Sequence, residues 1–486
     1  MVCPTGISSH MSSPAFDFFL EFGAYCHERH PLDVWVNAST LVRTGVLGTY
    51  ARPRSASLRE SVRNAGGLEW MLTRTLVRQA RRRCFFDGEG ASVVGLFPFN
   101  RHDYEGLIRP YLKALASTGT RCAVVTSGRG FDRWRLHARE DGTVIFPAEA
   151  AVSMGVYSDA KRTLATLRPS LLDIASRFRL SATRRRSLMV YFAQYCFEKA
   201  LASRFIEHFA PRVIIGLHFV STRGWHGAIA DAASRGPHPS VVLVQHGSFD
   251  VSRGFHDFEG ADLVLLWGDR WRRELSRYQS LPFRKVPTAL VTGHPKYDLS
   301  EDAIPPATLH GGGSARSRNG VHVLFVSSHE GGRTKEAPLA QLIAAAQRGR
   351  GFDFTVKPHP AERDGTLARV VAKGQLHARQ VLSAQEPIQA CILDADVVVG
   401  PESTALFEAV RLGRPVVLLS EAPSGAFSGL LTAVDSASLH ALVERLRKDV
   451  AWRRRVLDEQ SEALVDAFGS ATGAVEAGTE SIRRHL

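Results

Sequence analysis

Short apolar runs rich in valine, isoleucine and leucine recur along this chain, and between them lie stretches with apolar residues at helical spacing. From residue 91 onward the runs ASVVGLFPF (91–99), CAVVTSG (122–128), GTVIFPAE (142–149), PRVIIGLHF (211–219), SVVLVQHGS (240–248), ADLVLLWG (261–268) and TALVTGHP (288–295) each predict a buried strand. YEGLIRPYLKALAST (104–118), most of 152–210, and STRGWHGAIADAASRG (221–236) predict helices. The alternation resumes after residue 320. VHVLFVSS (321–328) and FDFTVKPHP (352–360) predict strands, separated by a helix over 338–349 and followed by one around 362–373. The clearest unit spans 391–419. ADVVVG (395–400) predicts a strand, STALFEAVRL (403–412) a helix ended by Gly413, and PVVLL (415–419) a second strand parallel to the first. Before residue 91 the pattern is weaker. Residues 1–13 carry no element, DVWVNAS (33–39) suits a short strand, and 57–83 suits either a basic amphipathic hairpin or a solvated helical face.

Strands alternating with helices point to an α/β protein with two Rossmann-like, doubly wound domains facing across a cleft. The break between them is DLSEDAIPPATLHGGGSARSRNG (298–320), rich in Pro, Gly, Ser and charge. The expected organisation is an N-terminal extension, partly helical and basic (1–90), a first Rossmann-like domain (91–297) with a helical insert (152–210), and the linker (298–320). A second Rossmann-like domain (321–436) and a helical C-terminal tail (437–486) follow.

Composition bounds the function more loosely. The chain has 486 residues, 44% hydrophobic and 22% charged, which is enough for two or three full cores. Its formal charge is +13, with arginine densest at 74–83 and 184–186. Such clusters favour polyanions, although an arginine-rich coding bias gives the same count. Neither cluster interleaves aromatic residues, so nucleic acid is not the expected partner. The six cysteines are scattered without a CxxC pair and suit small core residues. No leader pattern and no long apolar run appears, so a cytoplasmic protein is expected, at most peripheral to the inner face of the plasma membrane.

In doubly wound sheets, ligands bind outside the carboxyl ends of the strands. Five strand ends here carry polar groups suited to anions or proton transfer: Gln245-His246-Gly247, Gly293-His294, Ser327-Ser328, Lys357-Pro358-His359, and Glu402-Ser403-Thr404. Lys357 and His359 alternate about Pro358 and leave the same side of an extended segment, where a cation and a donor can neutralise a diphosphate leaving group. Ser403 and Thr404 begin a helix whose first N–H groups suit phosphate oxygens. Glu408, one turn on, can accept from a ribose; the alternative is a plain capped helix with Glu408 in water. His246 suits a general base, since an unperturbed imidazole titrates near ~6.5, or else a buttress of its loop. Gln245, Gly247 and His294 border the same region with no assigned role. Gly311–Gly313 follows no strand and is a linker rather than a phosphate loop. Asp394 and Asp396 flank a strand start and are structural, so no metal site is expected.

In this order and spacing, VVLVQHGS, ALVTGHPKYD, LFVSS, FTVKPHP and GPESTALFEAVRLGRPVV resemble the GT-B superfamily. They are most similar to its bacterial capsule and surface-polysaccharide branch, related to CDP-glycerol glycerophosphotransferases and to Kdo or sialic-acid capsule transferases. The resemblance covers about residues 210–420. It implies a metal-independent glycosyltransferase without a cofactor, using a UDP-, CDP- or CMP-linked donor as substrate and a polysaccharide or lipid-linked acceptor, with an anionic membrane surface as a further partner. It also implies donor phosphates on His359, Ser403 and Thr404, a ribose on Glu408, and a functional His246. Other activities implied at this level are a CDP-polyol phosphotransferase of teichoic-acid-like polymers and a nonhydrolysing UDP-sugar 2-epimerase. Outside catalysis, a GT-B-like scaffold binding anionic lipid or nucleic acid is the alternative.

Overall fold

The computed structural model describes residues 90–97, 102–126, 131–147, 152–217, 227–229, 238–247, 261–276, 287–298, 321–327, 333–348, 352–359, 366–373, 375–384, 386–421, 423, 427–469 and 472–486, with Tyr25 and 28–30. The elements expected before residue 90, most of the helix at 221–236, the linker after Asp298 and Ser328 lie outside the described residues. The chain divides into two compact units. The first comprises residues up to 267, 271–298 and 473–486; the second comprises 268–270 and 299–472.

The first unit runs β1 (Val93–Phe97), α1 (His102–Ala116), β2 (Cys122–Thr126), α2 (Phe131–Asp141), β3 (Val144–Pro147), α3 (Met154–Arg177), α4 (Ala182–Phe209), β4 (Val213–Leu217), β5 (Ser240–Val244), β6 (Leu263–Leu266), α5 (Asp269–Ser276) and β7 (Thr288–Val291). Its seven strands pair in parallel in the order β3-β2-β1-β4-β5-β6-β7, which reverses between β1 and β4. Nearly every residue of β1, β2, β4, β5 and β6 is buried. That is why these strands are continuous Val/Ile/Leu runs: helices must cover both faces of a parallel sheet.

α2 is not evident in the apolar pattern, because FDRWRLHARED is mostly charged and Trp134 carries its buried anchor. Arg109 of α1 ties it down, its Nε donating to Asp141 at 2.6 Å and its Nη2 to Glu140 at 3.0 Å. The stretch 152–210 resolves into two long helices, each capped by a serine. Ser153 Oγ accepts from Val156 N and Ser181 Oγ from Arg184 N. α4 buries Phe192, Tyr195, Phe205 and Phe209, with Phe209 edge-on to Phe146 at 4.7 Å between ring centroids.

The second unit runs β8 (Val321–Val326), α6 (Arg333–Gln347), β9 (Phe352–Lys357), α7 (Thr366–Ala372), α8 (Ile388–Leu393), β10 (Val397–Gly400), α9 (Thr404–Arg411), β11 (Val416–Leu419), β12 (Leu431–Ala433), α10 (Ser436–Lys448) and α11 (Val450–Phe468). The strand order is β12-β11-β10-β8-β9, again all parallel, with the reversal between β8 and β10. At the amino end of this sheet, Asp396 Oδ2 accepts from His322 N at 2.8 Å, a structural role for that side chain, and the backbone O of Asp394 lies 2.8 Å from His322 Nδ1.

The tail expected over 437–486 is helical throughout most of its length, but its last helix belongs with the first unit. There α12 (Ala474–Arg483) packs on α1. Gly478 permits the approach: a Cβ there would fall 2.3 Å from Tyr111 Cε1. Asp298 Oδ2 accepts from Val475 N at 2.7 Å, and Arg212 Nη1 donates to Leu486 O at 2.6 Å. Among the described residues no helix is long and apolar enough to cross a membrane.

Candidate functional site

In the second unit the expected site residues share one edge of the sheet. β9, β8 and β10 are neighbours, and their carboxyl ends lead to Lys357-Pro358-His359, Ser327 and Pro401-Glu402-Ser403 respectively. β8 and β10 are the two strands between which the order reverses, the place where doubly wound sheets take ligands. They approach unusually closely there. A Cβ on Gly400 would lie 2.5 Å from Val326 O, so only glycine fits at the last residue of β10. Ser327 is buried, and its N donates to Lys357 O at 3.0 Å, joining the β8 and β9 ends.

From Gly400 the chain turns into α9. Ser403 is its N-cap, in extended conformation (φ −153°, ψ 141°), with its Oγ accepting from Ala405 N at 3.4 Å. Thr404 is the first helical residue, and Glu408 follows one turn later; both are half-buried, as are Glu402 and Ser403. The opposite face, Leu406, Phe407, Ala409 and Val410, is buried. Phe407 stacks on Phe427 at 5.0 Å and meets Phe468 at 5.3 Å, which fixes the helix against the unit's core. Gly413, at φ +69°, ends the helix as expected, its N donating to Val410 O and Arg414 N to Ala409 O.

Lys357 and His359 part company. β9 ends at Lys357, so the alternation expected through KPH stops there. Lys357 is 4% exposed, and its Nζ donates to Pro358 O at 3.2 Å and to Ala384 O at 3.0 Å. Burial lowers its pKa, against the opposing pull of Cys391 and Glu386. Two of the three ammonium donors therefore hold backbone beneath the loop. His359 is half-buried on that loop.

In the first unit, Gln245 is fully buried where β5 ends. Its Oε1 accepts from Trp267 N at 2.8 Å and its Nε2 donates to Gly247 O at 3.0 Å. Gly247 sits at φ +78°, a left-handed turn that a side chain would strain. Between them His246 is half-buried. His294 is buried after β7. Its Nδ1 accepts from Lys296 N at 3.3 Å, which assigns the neutral ring's proton to Nε2, and the ring lies on Trp267 at 4.2 Å between centroids. Trp267, which the sequence pattern did not single out, thus links the ends of β5, β6 and β7. Its only sequence signal is its place directly after the LVLL strand. Among the described residues, no three His, Cys, Asp or Glu side chains converge as metal ligands.

No family model and no curated protein matches the chain. Solved structures do. The chain is similar to a glycosyltransferase from Rickettsia africae, with a TM-score of 0.52 at 9% identity over 82% of this chain and 99% of that one. The two units have the GT-B type of fold. At 9% identity this likeness concerns fold alone. Other similar structures are a co-structure of S. aureus MnaA with UDP (TM-score 0.48, 14% identity, 81% of this chain and 96% of that one) and the wall teichoic acid polymerase TagF (0.43, 10%, 88% and 97%).

Proposed function

We propose that this chain is a glycosyltransferase that moves a sugar from a UDP-, CDP- or CMP-linked donor to a polysaccharide or lipid-linked acceptor of the cell surface, working from the cytoplasmic side of the membrane. The observation that supports it is the strand-order reversal of the second unit, where Gly400 lies against Val326 O and Ser403-Thr404 open α9 directly beyond. The positive end of α9 and the hydroxyl pair of Ser403 and Thr404 suit diphosphate oxygens. Glu408, one turn along, takes the ribose hydroxyls, and His359 donates to the departing phosphate as charge develops there. Ser327 and Lys357 hold the strand ends that carry these groups. Ser328, next in sequence, is a further donor-binding residue in this proposal. On the first unit His246 takes the proton of the acceptor hydroxyl, with Gln245, Gly247 and His294 shaping its support.

The test is thermal stabilisation by a panel of UDP, CDP, CMP and GDP. A ligand at ~100 times its dissociation constant stabilises the unit that binds it by about 2.7 kcal/mol. His359→Ala should abolish that shift. His246→Ala should keep the shift and lose turnover. No shift with any nucleotide would refute donor binding, and unfolding of His246→Ala would reduce His246 to a structural residue.

A further inference from the structure

We infer that the turn joining α3 to α4 is a docking surface for an anionic lipid bilayer. This deepens the proposed function, on which it rests for the membrane-linked nature of the acceptor.

Five arginines fall within ten residues there: Arg177 and Arg179 at the end of α3, and Arg184, Arg185 and Arg186 in the opening turns of α4. Arg177, Arg179, Arg185 and Arg186 are exposed. No acidic residue occurs between Asp173 and Glu198, and Asp173 is already engaged, accepting from Tyr25 Oη and lying 3.2 Å from His30 Nε2. The arrangement opposes local stability. A helix N-terminus carries partial positive charge and prefers acidic residues, yet the first turn of α4 has none. Three cations placed at that end repel the helix they belong to, and an external anionic surface relieves the repulsion.

The neighbouring exposed side chains select which anion. Among the described residues they are small, Ala182 and the hydroxylic Ser176, Ser181, Thr183 and Ser187, with Leu172 54% exposed on α3. The aromatic rings at this end are occupied with one another and with arginine: Tyr25 meets Phe178 edge-on, with Arg29 and Arg177 over its ring. With no free ring for base stacking among the described residues, the surface is poorly suited to single-stranded nucleic acid. A basic apex with a projecting leucine suits headgroup phosphates and the apolar layer just beneath them.

The experiment is co-sedimentation of the full chain with phosphatidylcholine vesicles made with and without phosphatidylglycerol. Wild type should bind only the anionic vesicles, less as salt rises. Each arginine near such a surface contributes about fivefold in partitioning, so Arg179→Gln, Arg184→Gln and Arg186→Gln together should lower it about 100-fold. The same variant should melt no lower than wild type, because it removes repulsion; a purely structural role would lower the melting point. If the triple variant does melt lower, Arg179→Gln and Arg186→Gln singly should each still lower binding about fivefold. A charge-matched variant elsewhere, Arg454→Gln with Arg455→Gln and Arg484→Gln, should bind like wild type. Equal binding by the two triple variants, no binding by wild type, or tighter binding of a single-stranded oligonucleotide at the same salt would each overturn the inference. A nucleotide-induced thermal shift without vesicle binding overturns this inference alone. Vesicle binding with no nucleotide shift leaves it standing and overturns the transfer reaction.

Discussion

Replacing Gly400 by alanine tests whether the close approach of β8 and β10 builds the donor site. The added Cβ would meet Val326 O at 2.5 Å and Val326 Cγ2 at 2.9 Å. Ordinary C···O contact begins at about 3.3 Å, so the strands must part by roughly 0.8 Å. Both obstructing atoms belong to a buried strand, and the ladder pairs next to the clash, Val399 with Phe325 and Val398 with Leu324, must stretch with it. Overpacking of this kind costs about 1–3 kcal/mol, and each weakened ladder bond adds about 0.5–1.5 kcal/mol. The expected loss is about 2–4 kcal/mol. Gly95→Ala is the control. It makes the same change inside β1, but the Cβ meets Leu112 Cδ1 at 2.9 Å, the end of a side chain that can change rotamer for about 0.5–1.5 kcal/mol. In a unit of this size each kcal/mol moves the melting point by about 2–4 °C, so Gly400→Ala should lower its transition by about 4–16 °C and Gly95→Ala by only a few. Thermal melts read by circular dichroism, with and without the nucleotide that stabilises wild type, measure both effects. Gly400→Ala should also lose the nucleotide shift below its own melting point. Equal melting of the two variants would refute the account of the strand approach, and a retained shift would separate that approach from donor binding.

Further expectations follow from buried polar groups. Gln460 is 1% exposed on α11 and pairs with both backbone groups of Val416, accepting from N at 3.0 Å and donating to O at 2.7 Å. Gln460→Leu orphans both at about 1–3 kcal/mol each, and urea denaturation should show a loss of at least about 2 kcal/mol. Lys357→Met should alter the pH dependence of stability. Burial holds the folded pKa below the ordinary 10.5, so between those two values the unfolded chain binds more protons and wild-type stability rises with pH. The variant should lack that rise; parallel denaturation profiles up to pH 10.5 would contradict the placement of Nζ. Gln245→Glu should be tolerated only when protonated, since a carboxyl can accept from Trp267 N and donate to Gly247 O, whereas a carboxylate is buried and charged. Burial raises that carboxyl's pKa, so the variant should lose stability as pH rises above the ordinary glutamate value of about 4.3. A variant as stable as wild type at neutral pH would remove the tie.

The parts of the fold legible in sequence are those whose cause is local. Val/Ile runs define β1, β4, β5, β8 and β10, because a strand buried on both faces has no other pattern available. Ser403 and Gly413 bracket α9 through capping chemistry confined to a few residues. What is not legible depends on distant partners. α2 is held by one tryptophan and by ion pairs to α1, and β12 is three residues long. The return of α12 to the first unit depends on Gly478 meeting Tyr111 across more than 300 positions of chain, and a glycine in AVEAGTESIR gives no hint of it. Spacing likewise gives the side on which a residue leaves a strand, but not its depth. Lys357 is the last residue of β9 and stays inside, while Pro358 lifts His359 out of the sheet.

That difference of depth divides the candidate residues by what their loss would do. Gln245, His294, Ser327 and Lys357 are buried; the side chains of Gln245, His294 and Lys357 already hydrogen-bond to backbone of the connecting loops, and Ser327 joins β8 to β9 through its backbone N–H. His246 and His359 are half-buried on the loops that carry those bonds, and Glu402, Ser403, Thr404 and Glu408 are half-buried at the start of α9. A polar residue after an apolar run looks the same in sequence whichever kind it is. Physically the two are coupled, since a buried amide or ammonium that fixes a turn also fixes the side chain the turn carries. Substitution at the first kind should therefore lower stability and ligand response together, while substitution at the second should change ligand response with stability nearly untouched, except at Ser403, where loss of the α9 cap costs about 0.5–2 kcal/mol as well.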